Sequence, residues 1–161
     1  MEYEDIERLF NRQLQRGGPI QDAEEWHELV PAMYEALIER AKTTPYDSLP
    51  ISYSELGAWI GLPFVPDSKW WPLKMAHLLG ACAFFEHTNE RPMITSIVVN
   101  NETKRPGQGF WGIDGIPSKL RLESAHEDQL SGLVRSELRD EFWIQAMKAV
   151  YEYWWGKHGM S

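Results

Sequence analysis

Two adjacent cations, Lys104 and Arg105, are followed by a glycine-containing stretch over residues 106–109. Cationic side chains and accessible backbone N–H groups are the groups that contact phosphate, so a hairpin tip of this composition could contact a nucleic-acid backbone. The alternative is a solvated turn, since exposed turns commonly collect such residues. The residues predicted to contact nucleic acid are Ser68, Lys69, Lys74, Lys104, Arg105, Lys119 and Arg121.

Eight tryptophans are present, and four of them form two adjacent pairs. Neighbours on a helix point about 100° apart, which predicts that one member of each pair is partly exposed. An exposed tryptophan beside Lys69 or Lys157 could stack on a base or anchor a partner protein. The alternative is packing in the core or at helix junctions. The predicted partner-binding residues are Trp70, Trp71, Trp154 and Trp155.

Residues that could support catalysis form only short local clusters, at 86–87 and 126–128. Metal and acid–base sites need groups that converge from several elements, whereas these clusters lie at predicted helix ends, where polar residues act as caps. The sequence contains no HExxH, CxxC or Walker motif. Cys82 lies in an apolar helical stretch, which favours a buried structural thiol over a nucleophile. We therefore predict no enzyme activity, no catalytic residue, no metal site and no cofactor.

The composition is typical of one globular domain. The chain has 161 residues, of which 43% are hydrophobic and 12% aromatic, enough for a single core. Residues 1–14 are charged throughout and do not resemble a signal peptide, and no apolar run approaches the ~20 residues of a membrane helix. The single cysteine suggests a reducing compartment. We expect a cytoplasmic protein that does not bind membranes.

The formal net charge of −8 argues against strong nonspecific attraction to nucleic acid. This charge is unevenly distributed, because residues 1–50 carry −6, residues 51–122 carry +1 and residues 123–161 carry −3. A DNA-binding protein could gather the cations of the middle region on one surface. An inhibitor of a basic partner would use the acidic flanks instead, so charge leaves both functions open.

The middle of the chain shows two predicted helices separated by a turn. Ser52 and Glu55 have the spacing of a capping box, and apolar residues at helical spacing follow as far as Gly61. Residues 62–66 contain two prolines and cannot continue a helix. Asp67 or Ser68 can then cap a second helix over about 69–87.

A β-hairpin is predicted after this helix pair. Residues 93–100 are rich in β-branched side chains, and a second short strand is predicted near 109–111. Helix, turn, helix and hairpin in this order indicate a winged helix. The predicted fold is therefore α+β and mostly helical: a winged helix-turn-helix core with a β-hairpin wing, flanked by N-terminal helices and a long C-terminal helix. We predict one domain over 1–161, comprising 1–45, 51–122 and 123–161.

The flanking helices are predicted from their apolar spacing. Residues 2–16 have the stripe of an amphipathic helix, which could pack on its own domain or on a second copy in a homodimer. Residues 22–42 form a second helix capped by Asp22, with a kink or break near His27 caused by Pro31. Residues 125–155 are predicted as a long helix whose weakest position is Gly132.

Residues 51–111 resemble the winged-helix lobe of alkyltransferase-like DNA-binding proteins. The matching stretches read Ile-Ser-Tyr-Ser-Glu-Leu-Gly-Ala-Trp-Ile-Gly and Arg-Pro-Met-Ile-Thr-Ser-Ile-Val-Val-Asn. That family carries a reactive Pro-Cys-His-Arg motif, whereas the sequence here runs from Pro92 to Ser96 without cysteine or histidine. The resemblance implies a scaffold that holds DNA elsewhere, and it does not imply alkyl transfer.

Two functions follow from these features. The first is a non-enzymatic winged-helix interaction protein, an acidic inhibitor or adaptor that binds a basic, nucleic-acid-associated protein partner, as in phage anti-defence or immunity systems. The alternative is a winged-helix regulator that binds duplex DNA through the second helix and the basic wing. An enzyme of unknown class ranks third.

Overall fold

The computed structural model describes residues 1–121 and 132–155 and confirms a mostly helical α+β fold. Its described helices are α1 (Tyr3–Gln15), α2 (Ala23–Thr43), α3 (Tyr53–Trp59), α4 (Trp70–Thr88) and α5 (Gly132–Trp154). Two short strands, β1 (Ile51–Ser52) and β2 (Val98–Val99), accompany them. Single 3₁₀ turns lie at 46–48, 94–97, 108–112 and 118–120. The predicted residues 125–131 of the C-terminal helix lie outside the described chain.

The first two helices pack against each other. Helix α1 buries Ile6, Leu9 and Phe10 in the main core, as its apolar stripe predicts. The indole Nε1 of Trp26, on α2, donates a hydrogen bond of 3.0 Å to the carbonyl oxygen of Ile6. This bond satisfies the one polar atom of a fully buried tryptophan. The prediction that α1 packs on its own domain is confirmed.

Helix α2 begins where its sequence predicts. The Asp22 side chain accepts a hydrogen bond of 2.9 Å from the Glu24 N–H, as a helix cap does. The helix continues through Pro31, so the predicted break is absent.

Helix α4 packs on α2 and buries Cys82 completely, so burial, followed by the nearby Glu86 charge, raises the pKa of that thiol. Cys82 is a structural thiol, as predicted.

Local capping also defines α3 and α4. Ser52 Oγ accepts from the Glu55 N–H at 3.1 Å, which confirms the predicted cap of α3. Gly61, with φ of +85°, follows the end of that helix in a conformation that favours glycine. Ser68 Oγ accepts from the N–H groups of Trp70 and Trp71 at 3.2 and 3.3 Å. Ser68, one residue before the N-cap Lys69, therefore supplies the side-chain oxygen that satisfies the first turn of α4.

The predicted hairpin wing is wrong. Strand β2 pairs in parallel with β1, with Ile51 opposite Val98 and Ser52 opposite Val99, and residues 108–112 form a 3₁₀ turn instead of a second strand. Both residues of β2 are buried, which is typical of a parallel strand covered on two faces. A hairpin wing would instead have one face in solvent. The helix pair of the predicted winged helix is present, and the winged-helix topology is not confirmed.

Helix α5 closes the other side of the core. Met147, Val150 and Trp154 enter the main core, and Trp143 Nε1 donates a hydrogen bond of 2.8 Å to the Ser96 carbonyl. A second, smaller cluster of buried residues contacts the same helix, and its members are Phe110, Trp111, Ile116 and Leu120. Each helix within residues 1–121 and 132–155 is too short or too polar to span a lipid bilayer.

Candidate functional site

The turn between α3 and α4 displays large apolar side chains to solvent. Within residues 59–73, which we call the exposed apolar segment, five such side chains are each at least 40% exposed: Trp59, Phe64, Val65, Trp70 and Leu73. The four other exposed large hydrophobics of the described chain are spread over α1 and the α5 region. Apolar residues concentrated in this way are typical of an interaction surface, whereas isolated ones need no explanation.

The exposed apolar segment is held in place from its buried side. Trp71 Nε1 donates a hydrogen bond of 2.8 Å to the Leu62 carbonyl, and the Phe64 ring meets the Trp71 ring edge-on with centroids 5.0 Å apart. A Cβ at Gly57 would lie 2.6 Å from the Leu62 carbonyl oxygen and 2.8 Å from the Trp71 ring. Glycine at 57 therefore permits the close approach that orders the turn.

Each tryptophan pair has one buried and one exposed member, as predicted. Trp70 is 57% exposed while Trp71 is 8% exposed, and Trp155 is 37% exposed while Trp154 is 8% exposed. Trp155 also stacks on Tyr151, with centroids 5.6 Å apart. Trp71 and Trp154 therefore belong mainly to the core, and Trp70 is the predicted partner-binding residue with the most accessible ring.

Three of the cations predicted to contact nucleic acid already have partners within the chain. Lys74 pairs with Glu25 at 3.1 Å, and Arg105 pairs with Asp140 at 3.0 Å. Arg121 donates hydrogen bonds of 2.9 and 3.0 Å to backbone carbonyls of the 108–113 region. Any nucleic-acid contact by these three side chains would compete with internal interactions.

The other three predicted cations are exposed and lie on separate elements. Lys69 precedes α4, Lys104 lies in the loop after β2, and Lys119 lies in the 118–120 turn. Among the described residues, none of the three has a carboxylate within ion-pair distance. The Lys104 amine donates a hydrogen bond of 3.3 Å to the side-chain oxygen Oδ1 of Asn101.

An aromatic-walled cleft of about 570 Å³ opens beside the exposed apolar segment. We call it the aromatic cleft; its walls carry the rings of Tyr53, Phe64, Trp71 and Phe110. Its polar lining includes Asn100, Asn101 and Glu102, which follow β2. The Tyr53 hydroxyl accepts a hydrogen bond of 2.8 Å from the Gly107 N–H and so ties α3 to the loop that forms the opposite wall. Burial raises the pKa of this tyrosine.

A smaller cavity of about 160 Å³, the cationic cavity, lies between α1, α4 and residues 109–114. Its charged lining consists of Arg12, Arg16 and Asp114, together with His77. Arg12 donates to Asp114 at 3.0 Å, and its guanidinium lies 3.8 Å from the centre of the Phe84 ring. Burial, and then the Arg16 charge, lower the pKa of His77, which keeps the imidazole neutral near pH 7.

The sequence did not predict either cavity, because their walls come from distant parts of the chain. The weak sequence signals for the two cavities were Arg12 and Arg16, four residues apart at the end of α1, and the glycines of 107–112. Of the local clusters considered for catalysis, Glu86 is fully buried and His87 is exposed, while residues 126–128 lie outside the described chain. The described residues contain no group of three or more His, Cys, Asp or Glu side chains arranged to hold a metal ion.

Comparison of the chain with protein-family models, with curated proteins and with solved structures finds no match. Functional inference therefore depends on the two surfaces described above, the exposed apolar segment and the paired cavities.

Proposed function

We propose that this protein is a non-enzymatic interaction protein, an acidic inhibitor or adaptor, whose contact surface is the exposed apolar segment. The observation that carries the proposal is the concentration of five exposed apolar side chains within residues 59–73, at the end of α3, in the turn and at the start of α4: Trp59, Phe64, Val65, Trp70 and Leu73. Burying a side chain of this size against a partner contributes about 1.5 to 3 kcal/mol. Aromatic residues in such patches commonly dominate binding.

The overall charge supports a basic partner. A net charge of −8, concentrated in the first 50 residues, would attract a positively charged protein and repel other acidic ones. Proteins that bind nucleic acid carry such positive surfaces. A basic, nucleic-acid-associated protein is therefore the proposed target, and an anti-defence or immunity role of the phage kind is consistent with it.

We expect Trp70→Ala combined with Phe64→Ala to weaken partner binding at least thirtyfold, the effect of losing about 2 kcal/mol at an interface. Proteins captured by the wild-type chain would first be identified by quantitative mass spectrometry, and the purified partner would then be titrated by calorimetry. Ile144→Ala is the matched control, because Ile144 is also exposed but lies on α5.

Equal affinities for the wild-type chain and the double variant would refute this contact surface. A captured partner with an acidic surface would contradict the charge argument, even if the exposed apolar segment were needed for binding.

The second candidate function, a DNA-binding regulator, is favoured by the three cations that lack carboxylate partners, Lys69, Lys104 and Lys119. If the protein binds DNA, anisotropy with a mixed-sequence duplex should show affinity that falls steeply between low and near-physiological salt. Lys104→Glu should then weaken binding at low salt, while Lys148→Glu, at an exposed position of α5, should have little effect. Absence of binding at low salt would exclude this function and leave the protein-interaction proposal standing.

A further inference from the structure

The aromatic cleft and the cationic cavity adjoin each other. Three residues line both of them: Ala76 on α4, and Gly109 and Ile113 on the loop opposite. A Cβ placed on Gly109 would meet no atom within 4 Å, so open space surrounds this position. Two of the three shared residues are thus among the smallest side chains, and little bulk separates the two cavities.

The cationic cavity has the charge and shape to receive a small anion. Arg12 on α1 and Arg16, which directly follows this helix, are four residues apart, a spacing at which like charges repel. Among the described residues, Asp114 is the one carboxylate that lines the cavity. Asp114 and the Phe84 ring hold the Arg12 guanidinium in position. The Arg16 side chain has no hydrogen-bond or ion-pair partner among the described residues.

The backbone around these cations is also accessible. Gly80, Gly109 and Gly112 line the cationic cavity, and a Cβ on any of them would meet nothing within 4 Å. Guanidinium groups bind phosphate and carboxylate oxygens strongly and with defined geometry. One carboxylate against two guanidinium groups leaves a local surplus of positive charge in a protein whose net charge is −8.

The aromatic cleft suits a planar ring. Four aromatic side chains form its walls, and a volume of about 570 Å³ falls within the roughly 300–1,000 Å³ of small-molecule sites. Polar groups are available to orient a ring, because Asn100, Asn101 and Glu102 line the same cleft. Thr95 also lines it, and its buried hydroxyl has no hydrogen-bond partner among the described residues.

We propose that the two cavities form one binding site for a small aromatic anion of nucleotide size. The ring lies in the aromatic cleft, and the phosphate or carboxylate group lies in the cationic cavity between Arg12 and Arg16. This site shares Phe64 with the exposed apolar segment, whereas its cations Arg12 and Arg16 lie outside that segment. The proposal does not depend on the function proposed for the exposed apolar segment.

Calorimetric titration of the full chain with four probes tests the site: adenosine monophosphate, phenyl phosphate, adenosine and inorganic phosphate. We expect at least one aromatic phosphate to bind about tenfold or more tightly than either adenosine or inorganic phosphate, because only these probes fill both cavities. Arg16→Gln should weaken the binding of the aromatic phosphate about three- to tenfold and leave the affinity for adenosine unchanged. Arg8→Gln, the same charge change on α1 outside both cavities, should have no effect.

Ala76→Phe provides a steric test, because residue 76 is exposed on α4 and lies where the two cavities adjoin. A phenyl group there should reduce binding of the aromatic phosphate more than tenfold, and thermal unfolding would verify that the variant folds. The proposal is overturned if neither aromatic phosphate binds, or if adenosine or inorganic phosphate binds as tightly as the aromatic phosphates. It is also overturned if Arg16→Gln does not change the affinity for the aromatic phosphate. Unchanged binding by a folded Ala76→Phe variant would likewise overturn it.

Discussion

Replacing Trp26 with alanine is expected to lower the free energy of unfolding by about 3 to 5 kcal/mol, the range for removing a large aromatic side chain from a core. Trp26 is fully buried, and its indole lies 6.0 Å from the Phe10 ring, between α1 and α2. The substitution also leaves the Ile6 carbonyl without the donor that now lies 3.0 Å away. Both losses loosen the attachment of α1 to the rest of the domain.

Urea denaturation followed by circular dichroism would measure this effect, because the change in midpoint gives the change in free energy when the slope is constant. Trp70→Ala is the matched control, since Trp70 is exposed, and we expect it to change stability by no more than about 0.5 kcal/mol. A Trp26→Ala variant as stable as that control would show that α1 contributes little to the fold.

Replacing Glu86 with alanine is expected to cost about 2 to 4 kcal/mol. One oxygen of this fully buried carboxylate, Oε1, accepts from the Tyr34 hydroxyl at 2.7 Å and from Arg91 Nε at 2.8 Å. Breaking a buried ion pair leaves the remaining charge without a partner in a poorly solvated site. Because the Arg91 side chain is partly exposed, water can compensate for some of the loss. The expected loss is therefore smaller than the roughly 3 to 5 kcal/mol that breaking a fully buried ion pair costs.

Two conservative variants separate the contributions that the Glu86 charge and the Tyr34 hydrogen bond make to stability. Glu86→Gln retains the shape and removes the charge, so it should cost less than Glu86→Ala. Tyr34→Phe removes one hydrogen bond and should cost about 1 kcal/mol near pH 7. If Glu86→Ala were no more destabilising than Tyr34→Phe in denaturant titrations, the buried ion pair would not be a stabilising contact.

The contact between Tyr34 and Glu86 also predicts how the stability of the protein changes at alkaline pH. Burial, followed by the hydrogen bond to Glu86, raises the pKa of Tyr34 above the usual value of 10.0. The unfolded chain therefore releases this proton first as pH rises, and the stability that Tyr34 contributes is present below pH 10 and declines above it. Tyr34→Phe should consequently lose less stability than the wild-type chain when both are compared above pH 10.

Features encoded by neighbouring residues were predictable from the sequence. Asp22 and Ser52 cap their helices as expected, because a side-chain oxygen at that position satisfies N–H groups only two or three residues away. The apolar stripe of α1 is buried, as its 3.6-residue spacing predicts. The contrast between exposed Trp70 and buried Trp71 likewise follows from the angle between neighbours on a helix.

The strand pairing was decided by contacts distant in sequence. The β-branched residues before 100 indicate a strand, and they do not specify whether it joins a neighbouring strand or β1 some 45 residues earlier. Burial on both faces, which depends on the surrounding helices, favoured the parallel pair with β1. The hairpin prediction failed for this reason, and the basic residues after β2 form a loop instead of a wing.

At the candidate sites, too, the sequence identified the side chains and the tertiary structure decided their partners. Sequence identified Lys74 and Arg105 as cations, whereas only the folded chain places Glu25 and Asp140 beside them. The cationic cavity likewise requires α1, α4 and the loop before Asp114 to converge. The sequence by itself determined the starts of α2 and α3 and the buried face of α1, because these depend on side chains within a few positions of one another. Tertiary structure decided the strand pairing, the ion pairs and the cavities, because these depend on distances set by packing of the whole chain.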